Sequence, residues 1–373
     1  MASYDLIVVG AGIVGLAHAL AAARRGRRTL VVERDTHASA ASARNFGFVM
    51  LTGQEEGATR QRAKRSREIW AQVAPAAGID VLQRGSVAVA RREEALAVLE
   101  EFKALERESG CELWSAAQTR SRLPCASARI AGALASKHEL RVEAREALPK
   151  LARWLGARHN VAFLWDSAVL EVAEGRIRHA GGSIEAHAIV IAPGTQVAAF
   201  APQIAIREAV RYCKLQMMRI AAPSPDFRLP STVMSDLSLV RYAGFAQQPS
   251  AKRLRERLER ECPQALAHGV HLVVAQSADG SLVVGDSHHY ADFADPSRIN
   301  AVDELILEEF HTLFDCPRAT VIERWVGHYP VANITPLLRQ TLGPRLRLVT
   351  VTNGLGMSTA FAIGEETIQE LFG

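Results

Sequence analysis

The N-terminal run Leu6-Ile7-Val8-Val9-Gly10-Ala11-Gly12-Ile13-Val14-Gly15 constrains the fold of this 373-residue chain more than any other stretch. Four apolar residues without alternation read as a strand buried on both faces, and the glycines fall where such a strand turns into a helix. Gly10 permits the tight turn. Gly12 has no Cβ, so the backbone can approach a pyrophosphate, and Gly15 lets a helix from about Val14 to Arg25 pack closely on the strand. Phosphates then rest on the helix N-terminus, where free N–H groups and the dipole favour negative charge. Gly26 ends that helix, Thr29 to Val32 form a second strand, and Glu33 stands at its tip. A carboxylate there accepts hydrogen bonds from an adenosine ribose and repels a 2′-phosphate, which disfavours NADP. The expected ligand is a dinucleotide.

Composition narrows the class. With 48% apolar residues the chain can bury a large core. Its formal charge of +4 is spread among interspersed acids and bases, and no basic cluster is interleaved with aromatics, so nucleic acid is not an expected partner. Arg24, Arg25, Arg27 and Arg28 complement a helix C-terminus. The five cysteines are scattered without C-x-x-C spacing, which indicates neither a disulfide framework nor a zinc site and fits a reducing cytoplasm. No signal-peptide pattern precedes the first strand, and no apolar run approaches the ~20 residues of a membrane span.

Further along, Ser39-Ala40-Ala41-Ser42-Ala43-Arg44-Asn45-Phe46-Gly47 supplies small side chains and hydroxyls directly after the ribose acid. Such a segment can lie flat against a phosphate or a ring. Helices are expected over Gly57–Ala74, Glu93–Ser109, Arg141–Leu155, Lys252–Cys262 and Val302–Phe314. Strands are expected over Arg84–Ala90, Phe163–Val172, Ala188–Ile191, Val210–Ile220, Leu237–Tyr242, His271–Gln276, Leu282–Gly285 and Leu346–Thr352. Asn353-Gly354-Leu355-Gly356-Met357-Ser358-Thr359 then forms another glycine turn at a helix N-terminus.

These three glycine-rich segments, in this order, resemble the D-amino-acid oxidase superfamily of flavoenzymes, which includes glycine oxidase and sarcosine oxidase. The resemblance implies an α/β chain in which a Rossmann-type FAD-binding domain (1–82, 137–200, 325–373) is interleaved with an α+β antiparallel-sheet substrate domain (83–136, 201–324). It implies FAD contacts at Gly10, Gly12, Gly15, Glu33, Arg34, Ser42, Arg44, Asn45, Gly47, Val169, Gly194, Gly354, Gly356, Met357 and Ser358, with Val169 beside the adenine and the last helix facing the flavin pyrimidine.

The same family uses a W-x-G-x-R-P-like segment to grip a substrate carboxylate. Here the segment reads Trp325-Val326-Gly327-His328-Tyr329-Pro330, so Tyr329 stands where that arginine would be. Ordinary α-amino-acid oxidation is therefore in doubt. The cysteine that links FAD covalently in sarcosine oxidase is matched by Gly327, so the FAD is expected to be noncovalent. Arg44–Val49 with Thr52-Gly53-Gln54, Gly285-Asp286-Ser287-His288-His289-Tyr290, and Gly356–Phe361 together resemble a clade associated with bacterial phosphonate utilisation. That resemblance implies a small aminophosphonate related to 2-aminoethylphosphonate, held by a set drawn from Arg241, Tyr242, His288, His289 and Tyr329. Adjacent histidines on a strand face opposite ways, so at most one of His288 and His289 should line a pocket, and no metal site is expected. The flavin would take hydride from the carbon beside a neutral amine and be reoxidised by dioxygen or another acceptor. The alternatives are an oxidase of glycine, sarcosine or a similar amine, a flavin-dependent tRNA-tailoring domain, and a non-catalytic nucleotide sensor.

Overall fold

Two sheets divide the chain between them in the computed structural model, which describes residues 4–106, 110–317, 319–333 and 335–373. The first runs in the order Leu337–Gly343, Leu346–Val351, Gly182–Ile191, Tyr4–Val9, Thr29–Val32, Ala162–Leu164, with Val169–Ala173 and Arg176–His179 attached at one side. Tyr4–Val9 is central and parallel to both neighbours, with Leu6 opposite Thr29 on one side and Ala188 on the other. Burial on both faces follows from its sequence. Leu6 and Val8 point into a core shared with helices Ile13–Ala23, Ala144–His159 and Gly356–Phe372, while Ile7 and Val9 point into a second core with Leu30, Val32, Ile189 and Ile191. Full burial of each such side chain contributes about 1.5–3 kcal/mol. Helices Ile13–Ala23 and Gly356–Phe372 meet at Gly364, where a Cβ would lie 2.7 Å from the Ala17 carbonyl oxygen.

The second sheet has ten strands. Its main path is His289–Ala291, Arg211–Ile220, Leu282–Gly285, Val273–Gln276, Thr232–Met234, Val81–Ala90, Gly132–Val142, Phe48–Val49. Val321–Val331 pairs antiparallel with Arg211–Ile220 along its length, placing Tyr329 opposite Cys213. Helices Glu93–Leu105, Ala251–Glu261 and Asn300–Leu313 pack on this sheet through Leu99, Phe102, Leu254, Leu258, Ile306 and Phe310. The expected boundaries at 137 and 325 fall inside Gly132–Val142 and Val321–Val331, strands that belong whole to this second sheet.

Three local expectations are corrected. Leu237–Tyr242 is not a strand: Asp236–Val240 is a 3₁₀ turn leading through Arg241 and Tyr242 into the short helix Ala243–Ala246. Its apolar residues are buried because the turn packs into the core, a pattern that a short run cannot distinguish from a strand. Likewise Arg141 ends a strand instead of opening a helix; its buried guanidinium donates to the Phe46 and Gln276 carbonyls and to Glu143. The helix expected to reach Ser109 ends at Leu105, and Ser109 lies outside the described residues.

Candidate active site

The cofactor side is built almost entirely from backbone. Gly10 holds a φ of +104°, and a Cβ on it would stand 2.5 Å from the Ala192 carbonyl oxygen; at Gly15 it would stand 1.9 Å from the Gly10 carbonyl oxygen. Strand and helix can approach this closely only with glycine at both positions. Glu33 accepts from the Ala11 amide at 2.7 Å and from the Asp35 amide at 3.2 Å, so its carboxylate is held at the strand tip. Ser42 Oγ accepts from the Ile13 amide at 3.1 Å, pinning the small-residue segment to the first helix N-terminus. Asn45 shapes that segment by donating to the Ala41 and Ser42 carbonyls and accepting from the Gly47 amide. Arg44 donates to the Ser39 and Val326 carbonyls, tying it to the second sheet.

One cleft lined by Gly10, Gly12, Glu33, Arg34, Ser167 and Val169 meets a second at Ala41, Ser42 and Gly194. The second continues past Arg44 and Asn45 to Gly354, Gly356, Met357 and Ser358. Together the two run from the Glu33 carboxylate, past one helix N-terminus, to the uncapped N-terminus of Gly356–Phe372. A Cβ at Gly354 would crowd the Tyr329 ring at 3.2 Å, so glycine keeps this wall thin. The donor set and the length of the cleft fit an extended dinucleotide ending in a flat ring.

Beyond Gly354 the cleft opens onto side chains. Arg241 donates to the hydroxyls of Tyr329 at 3.1 Å and Tyr290 at 3.4 Å, and no carboxylate among the described residues forms an ion pair with it. Burial works against its charge, but Tyr329, Tyr290 and Asp286 more than offset this and keep the guanidinium protonated. Arg241, Tyr242 and Tyr329 also border the outer opening, with Arg211, Gln54 and Asn333. Deeper in the cleft, Asp286 lies between two histidines, its Oδ1 2.9 Å from His271 Nε2 and its Oδ2 3.9 Å from His288 Nε2. The Asp286–His271 approach is off the hydrogen-bonding direction, so the buried Oδ1 has no aligned donor. Burial raises the Asp286 pKa, yet His288, His271 and Arg241 outweigh it and hold the group below the ordinary carboxylate value.

Of the expected substrate residues, Arg241, Tyr242, His288 and Tyr329 line this cleft. His289 does not: it opens strand His289–Ala291 with its Nε2 2.9 Å from His268 Nδ1, whereas His288 lies in the connection before that strand and not on it as expected. Two expected cofactor residues also act at one remove. Gly15 serves helix packing, and Gly47, at a φ of +69°, sits where a Cβ would meet the Val142 carbonyl oxygen at 1.7 Å; neither lines the cleft. Sequence reasoning missed His271, Asp286 and Tyr290. The string 285–290 contained the last two, but their convergence with residues 241, 271 and 329 is set by sheet pairing. No cysteine of the described residues lines either part of the cleft.

The fold is shared with solved structures of low sequence identity. Glycine oxidase from Geobacillus kaustophilus is 19% identical at a TM-score of 0.76, covering 100% of this chain and 95% of its own. L-α-glycerophosphate oxidase from Mycoplasma pneumoniae, solved with FAD bound, is 15% identical at 0.76, again covering 100% and 95%. Iminodiacetate oxidase from Chelativorans sp. BNC1 is 15% identical at 0.73, covering 98% and 95%. No curated protein sequence matches significantly. The sequence pattern of the FAD dependent oxidoreductases called DAO matches residues 5–370, nearly the whole chain, and with the glycine-walled cleft in place the chain belongs to that family and uses FAD.

Proposed function

We propose that the protein oxidises the C–N bond of a small aminophosphonate, 2-aminoethylphosphonate or an N-methylated or hydroxylated derivative, to an imine that hydrolyses to an aldehyde and ammonia or amine. When bound, FAD supplies the two-electron acceptor for the C–H hydride, and dioxygen or another acceptor reoxidises it. The observation that carries the substrate class is Arg241, a guanidinium in no carboxylate ion pair among the described residues, set between two phenol hydroxyls at the mouth of the cleft. Each tyrosine hydroxyl accepts from Arg241 and lies within hydrogen-bonding reach of the buried Cys213 thiol, and its O–H can turn to an incoming oxygen. These donors arrive from three elements: the 236–240 turn, strand His289–Ala291 and strand Val321–Val331. A tetrahedral phosphonate, with three acceptor oxygens and up to two charges, can meet all three, whereas a planar carboxylate presents only two oxygens.

The rest of the cleft positions the other end of the molecule. Phe46, Phe48, Met50 and Leu215 give it an apolar wall that limits water around the reacting carbon. Of the three fold neighbours named above, one is named for a phosphorylated substrate and two for amino-carboxylates, so the fold serves both kinds of anion. Anaerobic mixing decides between them. We expect 2-aminoethylphosphonate, its N-methyl or its 1-hydroxy form to bleach the flavin at least tenfold faster than glycine, sarcosine or iminodiacetate. Faster bleaching by the carboxylates would remove the phosphonate assignment and leave an amino-acid oxidase. A flavin bleached by none of them would remove amine oxidation itself.

A further inference from the structure

We propose that His288 Nε2 is the base that removes a proton from the substrate's ammonium group, with Asp286 stabilising the imidazolium so formed. This rests on the amine-oxidation reading above. The tautomer is dictated by geometry. His288 Nδ1 lies 3.0 Å from the Gly269 carbonyl oxygen, which can only accept, so Nδ1 carries the hydrogen and the neutral ring presents a lone pair at Nε2. Gly269 is suited to this by its φ of +59° and by contact so close that a Cβ would lie 2.9 Å from His288 Cβ. His288 also donates its amide to the His268 carbonyl at 3.0 Å, so ring and backbone are both fixed. Asp286 and His271 are clamped to each other by reciprocal backbone hydrogen bonds of 2.8 and 3.1 Å.

The groups facing His288 are Asp286, His271, Arg241 and Tyr329, with Tyr242 behind His271. Burial lowers its basicity most, Asp286 raises it, and Arg241 and His271 lower it, so in the free enzyme the ring is neutral. A substrate anion on Arg241 cancels one of the lowering charges, and binding itself thereby strengthens the base beside the amine. In the step, the ammonium N–H bond breaks and an Nε2–H bond forms. The N–H electron pair stays on the amine nitrogen and no electron changes hands. The amine left behind is neutral, the form from which hydride can depart. The atoms of His271, Asp286 and His288 that could ligate a metal lie within 4.8 Å of one another, but Arg241 already faces them as a fixed cation, which favours the proton reading.

The test is the pH dependence of anaerobic flavin reduction by holoenzyme, with whichever amine bleaches the flavin. In the wild type, the second-order reduction rate should be nearly level between pH 7 and the amine's own pKa, because the ammonium form is used directly. His288→Gln with flavin retained should lose about a hundredfold or more near pH 7.5, then recover tenfold per pH unit as free amine accumulates. A wild-type rate that itself climbs tenfold per unit over this range overturns the proposal even if the variant does not fold. So do parallel profiles for both proteins, or loss of reduction on treatment with a chelator and its return with a divalent metal. If only carboxylate amines react, the phosphonate assignment fails while the comparison still decides the base; if no amine reacts, both fall.

Discussion

The two ends of the cleft are built by different means. At the nucleotide end, Gly10, Gly12, Gly194, Gly354 and Gly356 leave the wall without side chains, so that it presents N–H groups and helix ends. At the far end, Arg241, Asp286, His288, Tyr290 and Tyr329 present functional groups brought from separate strands and turns. Backbone geometry is a local property, set by a few consecutive residues. Convergence of side chains is a property of the assembled sheet.

That contrast can be broken or sharpened by substitution. Gly15→Val carries the largest expected effect: with Cβ already 1.9 Å from the Gly10 carbonyl oxygen, the helix must move off the strand, and the purified protein should lose its visible flavin absorbance. A yellow, active variant would show that the first glycine turn is not rigid. Arg241→Ala should keep full flavin content while kcat/KM for an aminophosphonate falls about a hundredfold, the size expected when charged hydrogen bonds worth roughly 1.5–3 kcal/mol are removed. Loss of flavin together with activity would mean that the two ends are not separable. Tyr329→Phe removes one hydroxyl from the anion site and should cost about tenfold, mostly in KM. His289→Gln, at a residue that does not line the cleft, should leave flavin reduction within about twofold; a loss approaching that of Arg241→Ala would put His289 back in the cleft.

Sequence alone disclosed the nucleotide end well, for the reason just given: the strand Leu6–Val9, the turn at Gly10 and the acid at Glu33 are adjacent or at fixed spacing. It disclosed less of the role of Gly47, where only the packed structure shows the Val142 carbonyl occupying the space of a side chain. At the other end, the 288–289 pair was read as lying on one strand, but the strand begins at His289, and nothing local says which ring faces the cleft. Sheet pairing settles it, as it also brings His271 to Asp286. The 236–240 turn was misread as a strand because its apolar residues are buried regardless of backbone form, and the error hid how Arg241 reaches Tyr329.

Arg241 borders the inner chamber and the outer opening at once. A solute entering by that opening would meet this cation before it could reach the histidines, so selection by charge would fall at the doorway, ahead of any chemistry. With the aminophosphonate proposed above, the aldehyde product would keep the anionic group and pass the same sentry on the way out, which would tie the grip that admits a substrate to the speed at which its product departs.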